Sequence, residues 1–260
     1  MVTPVSDDII ALAHKLADTA APIARSYFRQ PLEIIDKADE SPVTIADRTA
    51  EAEMRKVIEA TFPDHGIYGE EHGQVRLDAD HVWVLDPIDG TKAFITGMPV
   101  FGTLIAVAQE KKPVLGLIEQ PITRERWIGG IGHPTTLNGE AVKTRDCGGL
   151  KNAAMYITTT DMLETDEERA RYQKLKDTVK ITRFGGDCYS YGLLAAGHVD
   201  LVLESQLQPY DFMALVPVVE GAGGIMSDWQ GNPLTLDSGP QVLAAATKEI
   251  HEEALALLNG

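Results

Sequence analysis

Apolar residues recur at helical spacing through the first sixty positions and in short strand-like runs after them. Across residues 6–29, Ile9, Ala13, Leu16, Ala20, Ile23 and Tyr27 fall on one face, which predicts an amphipathic helix. A second stripe, Ala50, Met54, Val57, Ile58 and Thr61, predicts another helix. Ser41-Pro42 reads as its N-cap and first helical residue, and Phe62-Pro63-Asp64-His65-Gly66 as its end. A strand follows at His81–Leu85, and 103–109, 113–119 and 125–130 read as consecutive antiparallel strands, with a hairpin turn at Asn138-Gly139. Beyond Gly148-Gly149 the pattern predicts strands at 153–158, 180–184, 199–203, 224–228 and 242–246. Between them lie a charged helix (166–177), a helix from Gly185-Gly186 to Ala196, a helix starting near Asp211 and a C-terminal helix. Pro217 should cost the Asp211 helix a hydrogen bond and favour a kink. Elements alternate in blocks, which predicts layered α/β packing rather than a strict βαβ series. The expected organisation is one domain, 1–260, with lobes of about 1–147 and 148–260.

Composition narrows the function. The chain has 39 Asp and Glu against 23 Lys and Arg, a net charge of −16, and 44% apolar residues, enough for a sizeable core. So acidic a surface argues against nucleic acid or an anionic membrane as partner. It leaves room for a small anionic substrate, because bound cations reverse the local sign. Cys147 and Cys188 are too few for a disulfide scaffold or a cysteine zinc module, and free thiols are expected. No apolar run approaches a membrane span, and the first ten residues do not read as a signal peptide. The expectation is a soluble cytoplasmic protein.

The chemistry concentrates at Asp86-Pro87-Ile88-Asp89-Gly90-Thr91. An apolar strand ends in two acids that a stiff proline and a permissive glycine can aim at one point. Converging carboxylates repel each other, and a hard divalent cation removes that penalty. Gly90 and Thr91 begin a helical turn whose free N–H groups suit a phosphate. The same hexapeptide also reads as a polar turn with backbone-capping acids. Asp47 borders the buried stripe of its helix, which suits a paired or metal-proximal acid or a structural salt bridge. Glu70 and Glu71 follow Tyr68-Gly69 at a strand end and could equally be solvated. Asp211 follows Pro209-Tyr210 at a helix start, where an N-cap is commonplace.

Taken together, Asp47 within PVTIAD, Gly69-Glu70-Glu71, the segment Trp83 to Thr91, Tyr210-Asp211 and Glu220-Gly221-Ala222-Gly223-Gly224 resemble the inositol monophosphatase family in order and spacing. The resemblance covers nearly the whole chain. It implies an α/β fold of the sugar-phosphatase type, layered αβαβα with mixed, largely antiparallel sheets, and a Mg²⁺-dependent phosphomonoesterase. Carried onto this sequence, Glu70, Asp86 and the Ile88 carbonyl would hold one ion, and Asp86, Asp89 and Asp211 a second. A third, weaker ion would sit near Glu70. Asp47 would bond Thr91, and that pair with Glu70 would orient the attacking water. Asp89, Gly90 and Thr91 would line the phosphate site. A homodimer is also implied.

Within the family, the stretches Asp89 to Ile105 and Phe184 to Gly192 look most like the histidinol-phosphate phosphatase branch. Asp187, Glu204 and Asp211 would then face the leaving alcohol, where carboxylates suit an ammonium and an imidazole. Asp187 could instead be a helix N-cap and Glu204 a surface acid, while Tyr189 and Tyr191 read as core aromatics rather than pocket walls. Other readings are an inositol-1-monophosphatase or broad phosphatase, then a 3′(2′),5′-bisphosphate nucleotidase, which Lys92 would serve, and finally a module sensing a phosphorylated metabolite or cation.

Overall fold

A computed structural model describes residues 4–31, 35–36 and 42–260. The helices are α1 (Asp7–Tyr27), α2 (Ile45–Thr61), α3 (Thr91–Ile95), α4 (Asp166–Thr178), α5 (Tyr189–Ala195), α6 (Pro209–Phe212), α7 (Leu215–Gly221) and α8 (Lys248–Asn259). The strands are β1 (Ile35–Asp36), β2 (Pro42–Val43), β3 (Gly66–Gly69), β4 (Gly73–Val75), β5 (His81–Asp89), β6 (Gly102–Gln109), β7 (Lys112–Gln120), β8 (Glu125–Gly130), β9 (His133–Leu137) and β10 (Glu140–Ala141). They continue with β11 (Ala154–Ile157), β12 (Ile181–Phe184), β13 (Leu201–Glu204), β14 (Ile225–Ser227) and β15 (Val242–Ala245).

An eight-stranded sheet runs β10-β9-β8-β7-β6-β5-β3-β4, and a five-stranded sheet runs β12-β11-β13-β15-β14. Pairing is antiparallel except for β3 with β5 in the first sheet and β11 with β12 and β13 in the second. Side chains alternate across the central strands, whose two faces are both covered. Trp83 and Leu85 pack with Leu16, Met54 and Ile58 of α1 and α2, while Val82 and Val84 face the middle layer. That layer is α5, α6 and α7, whose Tyr191, Leu194, Phe212, Leu215 and Val218 also meet Val202, Val242 and Ala244 of the second sheet. Leu201, Leu203, Leu243 and Ala245 point the other way, onto Leu175 of α4 and Ile250, Ala254 and Leu258 of α8. Two-sided burial explains the continuous apolar runs of these strands. The layers are therefore αβαβα, as the resemblance implied.

Three local expectations change. Helix α2 begins at Ile45, not at Pro42: Thr44 is its N-cap, accepting the Ala46 N–H, and Pro42 lies in β2. Ser41, the expected cap, lies outside the described residues. The helix expected from Asp211 is two short helices, and Pro217 is the third residue of α7. A first-turn N–H has no intrahelical partner, so proline sacrifices nothing there. The hairpin turn at Asn138-Gly139 forms as expected, joining β9 to β10. Among the described residues no helix is long and apolar enough to cross a membrane.

Candidate active site

The site forms where β5 ends. Strand pleating alone would send Asp86 and Asp89, three residues apart, to opposite faces. The β5–β6 register shifts between them, pairing Asp86 with Leu104 but Asp89 with Gly102. This irregularity turns Asp89 back toward Asp86. From the other half of the chain, Asp211 on α6 arrives at the same point. One carboxylate oxygen each from Asp86, Asp89 and Asp211 lie within 4.8 Å of one another. Asp211 is not the N-cap expected for its helix. It is the third residue of α6, and its Oδ2 accepts the Gln208 N–H at 2.7 Å, which fixes the side chain.

Such crowding is electrostatically expensive. Asp86 is 2% exposed, and burial together with the charges of Glu70, Asp89 and Asp211 raises its pKa well above the ordinary carboxylate value. Burial pushes the Asp89 pKa up to about 6, although hydrogen bonds with Cys188 oppose the rise. The Cys188 N–H donates to Asp89 Oδ2 at 2.7 Å. The donors are all hard oxygens, three of them anionic and clustered, which fits a hard divalent cation and no soft metal.

The acids around the cluster are held by their own partners. Glu70 lies close enough to Asp86 to raise its pKa, and the Glu70 N–H donates to the Leu85 carbonyl at 3.2 Å. Asp47 is fully buried and accepts from the Thr44 N–H (3.0 Å) and hydroxyl (2.5 Å), completing a capping box at the start of α2. Burial raises the Asp47 pKa, with the Thr44 bonds pulling against it. The Thr91 hydroxyl donates to the Ile88 carbonyl at 3.1 Å and lies 3.5 Å from Asp47 Oδ1. Gly90 is left-handed at φ 80°, and a Cβ there would lie 2.9 Å from Asp187 Cβ, so only glycine makes this turn against that neighbour.

Asp187 is not an N-cap: α5 begins at Tyr189 with Cys188 before it, and Asp187 sits at φ 42°. Burial and the Asp89 charge push its pKa up to about 7, against the pull of Lys92. Glu204 is not a surface acid. It is 3% exposed, and its Oε1 accepts the Thr158 N–H (3.0 Å) and hydroxyl (2.9 Å). A cavity of about 80 Å³ is lined by Asp89, Asp187, Glu204 and Asp211 together with Tyr191 and Leu215. Tyr191, read from sequence as core, belongs to this wall, whereas the Tyr189 hydroxyl donates to Glu125 at 2.7 Å.

Glu51 was missed from the sequence. It is fully buried, accepts the N–H groups of Glu71 (2.7 Å) and His72 (3.1 Å), and pairs with Arg55 at 2.7 Å. It thereby anchors the turn that follows Glu70. A Cβ on Gly69 would fall 1.9 Å from Glu51 Oε1, which explains that glycine. The available signal was spacing: Glu51 lies four residues after Asp47, on the same helix face.

Comparison with known proteins agrees with this geometry. The inositol monophosphatase family model matches residues 6–260. The chain is 50% identical to the bifunctional phosphatase IMPL2, chloroplastic, of Arabidopsis thaliana, over 97% of this chain and 75% of that protein. It is 34% identical to a histidinol-phosphatase of Mycobacterium tuberculosis, over 98% and 99% of the two chains. The solved structure of an inositol monophosphatase from Zymomonas mobilis is 50% identical, with a TM-score of 0.90 over 99% of this chain and 100% of that one. Enzymes of this family use Mg²⁺, and the aspartate cluster fits a metal site. The chain belongs to the inositol monophosphatase family and is a metal-dependent phosphomonoesterase.

Proposed function

We propose that this phosphatase hydrolyses L-histidinol phosphate to L-histidinol and phosphate. The observation that carries the reading is a pair of acids, half-buried Asp187 and buried Glu204, on the cavity that opens beside the three-aspartate cluster. Two acids there suit a leaving group with an ammonium and an imidazole. The histidinol-phosphatases of Mycobacterium tuberculosis and Streptomyces coelicolor, 34% and 32% identical over nearly the whole chain, support it.

In this reading Glu70, Asp86 and the Ile88 carbonyl hold one Mg²⁺, and Asp86, Asp89 and Asp211 a second, with a third, weaker ion near Glu70. Bound there, the ions neutralise phosphate charge and lower the pKa of water. The N–H groups of Gly90 and Thr91 hold phosphate oxygens beside Asp89. Asp47, fixed by Thr44, orients the Thr91 hydroxyl, and Thr91 with Glu70 aligns the attacking water opposite the ester oxygen. Asp187, Glu204 and Asp211 hold the departing alcohol. A homodimer is part of the same proposal, and light scattering of the purified protein tests it.

A second reading is an inositol-1-monophosphatase or broad phosphatase, favoured by the 50% identity to the Zymomonas mobilis structure and to a relative called bifunctional. The deciding experiment compares kcat/KM of the purified Mg²⁺-loaded protein on L-histidinol phosphate, myo-inositol 1-phosphate and adenosine 3′,5′-bisphosphate. A clear preference for the first is expected. Preference for either of the others, or equal turnover of all three, overturns the specificity.

A further inference from the structure

We infer that the Tyr191 hydroxyl and the free carboxylate oxygen of Glu204 bind the edge of a flat, nitrogen-containing ring on the leaving group, making Tyr191 a specificity-determining residue. This rests on the histidinol-phosphate reading of the site. Among the described residues only four buried side-chain polar atoms lack a hydrogen-bond partner, and two of them, Tyr191 Oη and Glu204 Oε2, belong to residues that line one cavity. Tyr191 is 2% exposed. A buried polar atom left unbonded is costly, so two on one wall mark a place built for a ligand. Tyr191 lines that cavity together with Glu204, Asp89 and Asp211, and burial and the charges of these three acids push its hydroxyl pKa up.

The remaining walls choose among ligands. Met162, Leu207 and Leu215 line the cavity too. A polyol carries a hydroxyl on every carbon and would press several of them against these apolar side chains. An imidazole has apolar faces and a polar edge. One ring N–H donates to Glu204 Oε2, while the other ring nitrogen accepts from the Tyr191 O–H. If both nitrogens are protonated, the Tyr191 oxygen accepts instead, since a hydroxyl serves either way. Glu204 Oε1 is already occupied by Thr158, which leaves Oε2 as the oxygen for the ring.

The test uses the full-length Mg²⁺-loaded protein with Tyr191→Phe. L-Histidinol binding is measured by calorimetry in the presence of inorganic phosphate, and kcat/KM is measured on L-histidinol phosphate and on glycerol 2-phosphate, which has no ring. L-Histidinol binding should weaken about tenfold. The loss of kcat/KM should fall mainly in KM and should be several-fold larger for L-histidinol phosphate than for glycerol 2-phosphate. The melting temperature should not drop, because no existing bond is removed. Glu204→Gln should show the same ring-selective loss. Equal losses on both substrates, or unchanged L-histidinol binding, overturn the inference. If the wild type prefers L-histidinol phosphate but Tyr191→Phe binds L-histidinol as tightly, the inference alone falls. If the wild type prefers myo-inositol 1-phosphate, the specificity reading falls and takes the inference with it.

Discussion

At the scale of single residues, the site sets function against stability. Asp86 is buried and Asp89 and Asp211 partly so, and crowding their like charges disfavours the metal-free fold and suits a cation. Asp86→Asn and Asp211→Asn should each reduce Mg²⁺-dependent phosphate release by orders of magnitude. The metal-free melting temperature should stay the same or rise; a variant with near-normal turnover at low Mg²⁺ would remove that residue from the ligand set. Glu51 acts in the opposite sense, its carboxyl group held by Arg55 and the N–H groups of Glu71 and His72. Glu51→Gln keeps the volume but turns an amide NH₂ toward donors, at a cost of about 2–4 kcal/mol. Because the same carboxylate fixes the turn after Glu70, the Mg²⁺ concentration for half-maximal activity should rise severalfold. Chemical denaturation and a metal titration measure the two effects separately.

At the scale of elements, the recurring device is an acid that caps a helix and also reaches a neighbouring layer. Asp47 does this for α2 and Asp211 for α6. Glu168 does it for α4: it closes a capping box with Thr165 and accepts from Ser205 (2.8 Å) and Gln241 (2.9 Å) beside the second sheet. Burial alone would raise its pKa, but these hydrogen bonds outweigh burial and hold it at about 2. A depressed folded-state pKa contributes stability that is complete above the ordinary value near 4.5 and is lost as pH falls through about 2. The contribution at neutral pH is stabilising. Glu168→Gln should therefore melt well below the wild type at pH 7, with the gap closing between pH 4.5 and 2. A gap independent of pH would show that the charge contributes nothing.

At the scale of the whole molecule, the two halves meet at the chemistry. Asp89 from the first half bonds Cys188 of the second, and Gly90 makes room for Asp187. A cation at this seam would compete with protons, because burial raises the folded-state pKa of Asp89 to about 6, and burial and the neighbouring carboxylates raise that of Asp86 as well. Groups raised in this way stabilise the metal-free fold only at low pH, and that contribution is lost as pH rises through their folded pKa. Mg²⁺ binding should release protons near neutrality and weaken as pH falls below about 6. Calorimetry in buffers of different ionisation enthalpy reads the proton count. Zero release would mean that the cluster is already ionised without metal.

Much of this was legible in the chain itself. Apolar patterning gave α1, the central strands β5 to β8 of the first sheet and the strands of the second, because apolar spacing follows which face is buried; the short strands β4, β9 and β10 carry no such pattern. The order of the acid motifs gave the family, and through it the layered fold. Ser41-Pro42 points to a start of α2 at Pro42, whereas the helix is capped by Thr44 in a capping box with Asp47. Nor could sequence show that Asp187, Glu204 and Tyr191 line one cavity, or which distant backbone groups Glu51 holds. Those facts depend on contacts across dozens of residues, which no local pattern encodes. Sequence alone determined which residue types were available and which faces would be buried, because those depend on side-chain chemistry and local spacing. Only the tertiary structure decided that Asp86, Asp89 and Asp211 would converge, because that took an irregular strand end and a helix from the far half of the chain meeting at one point.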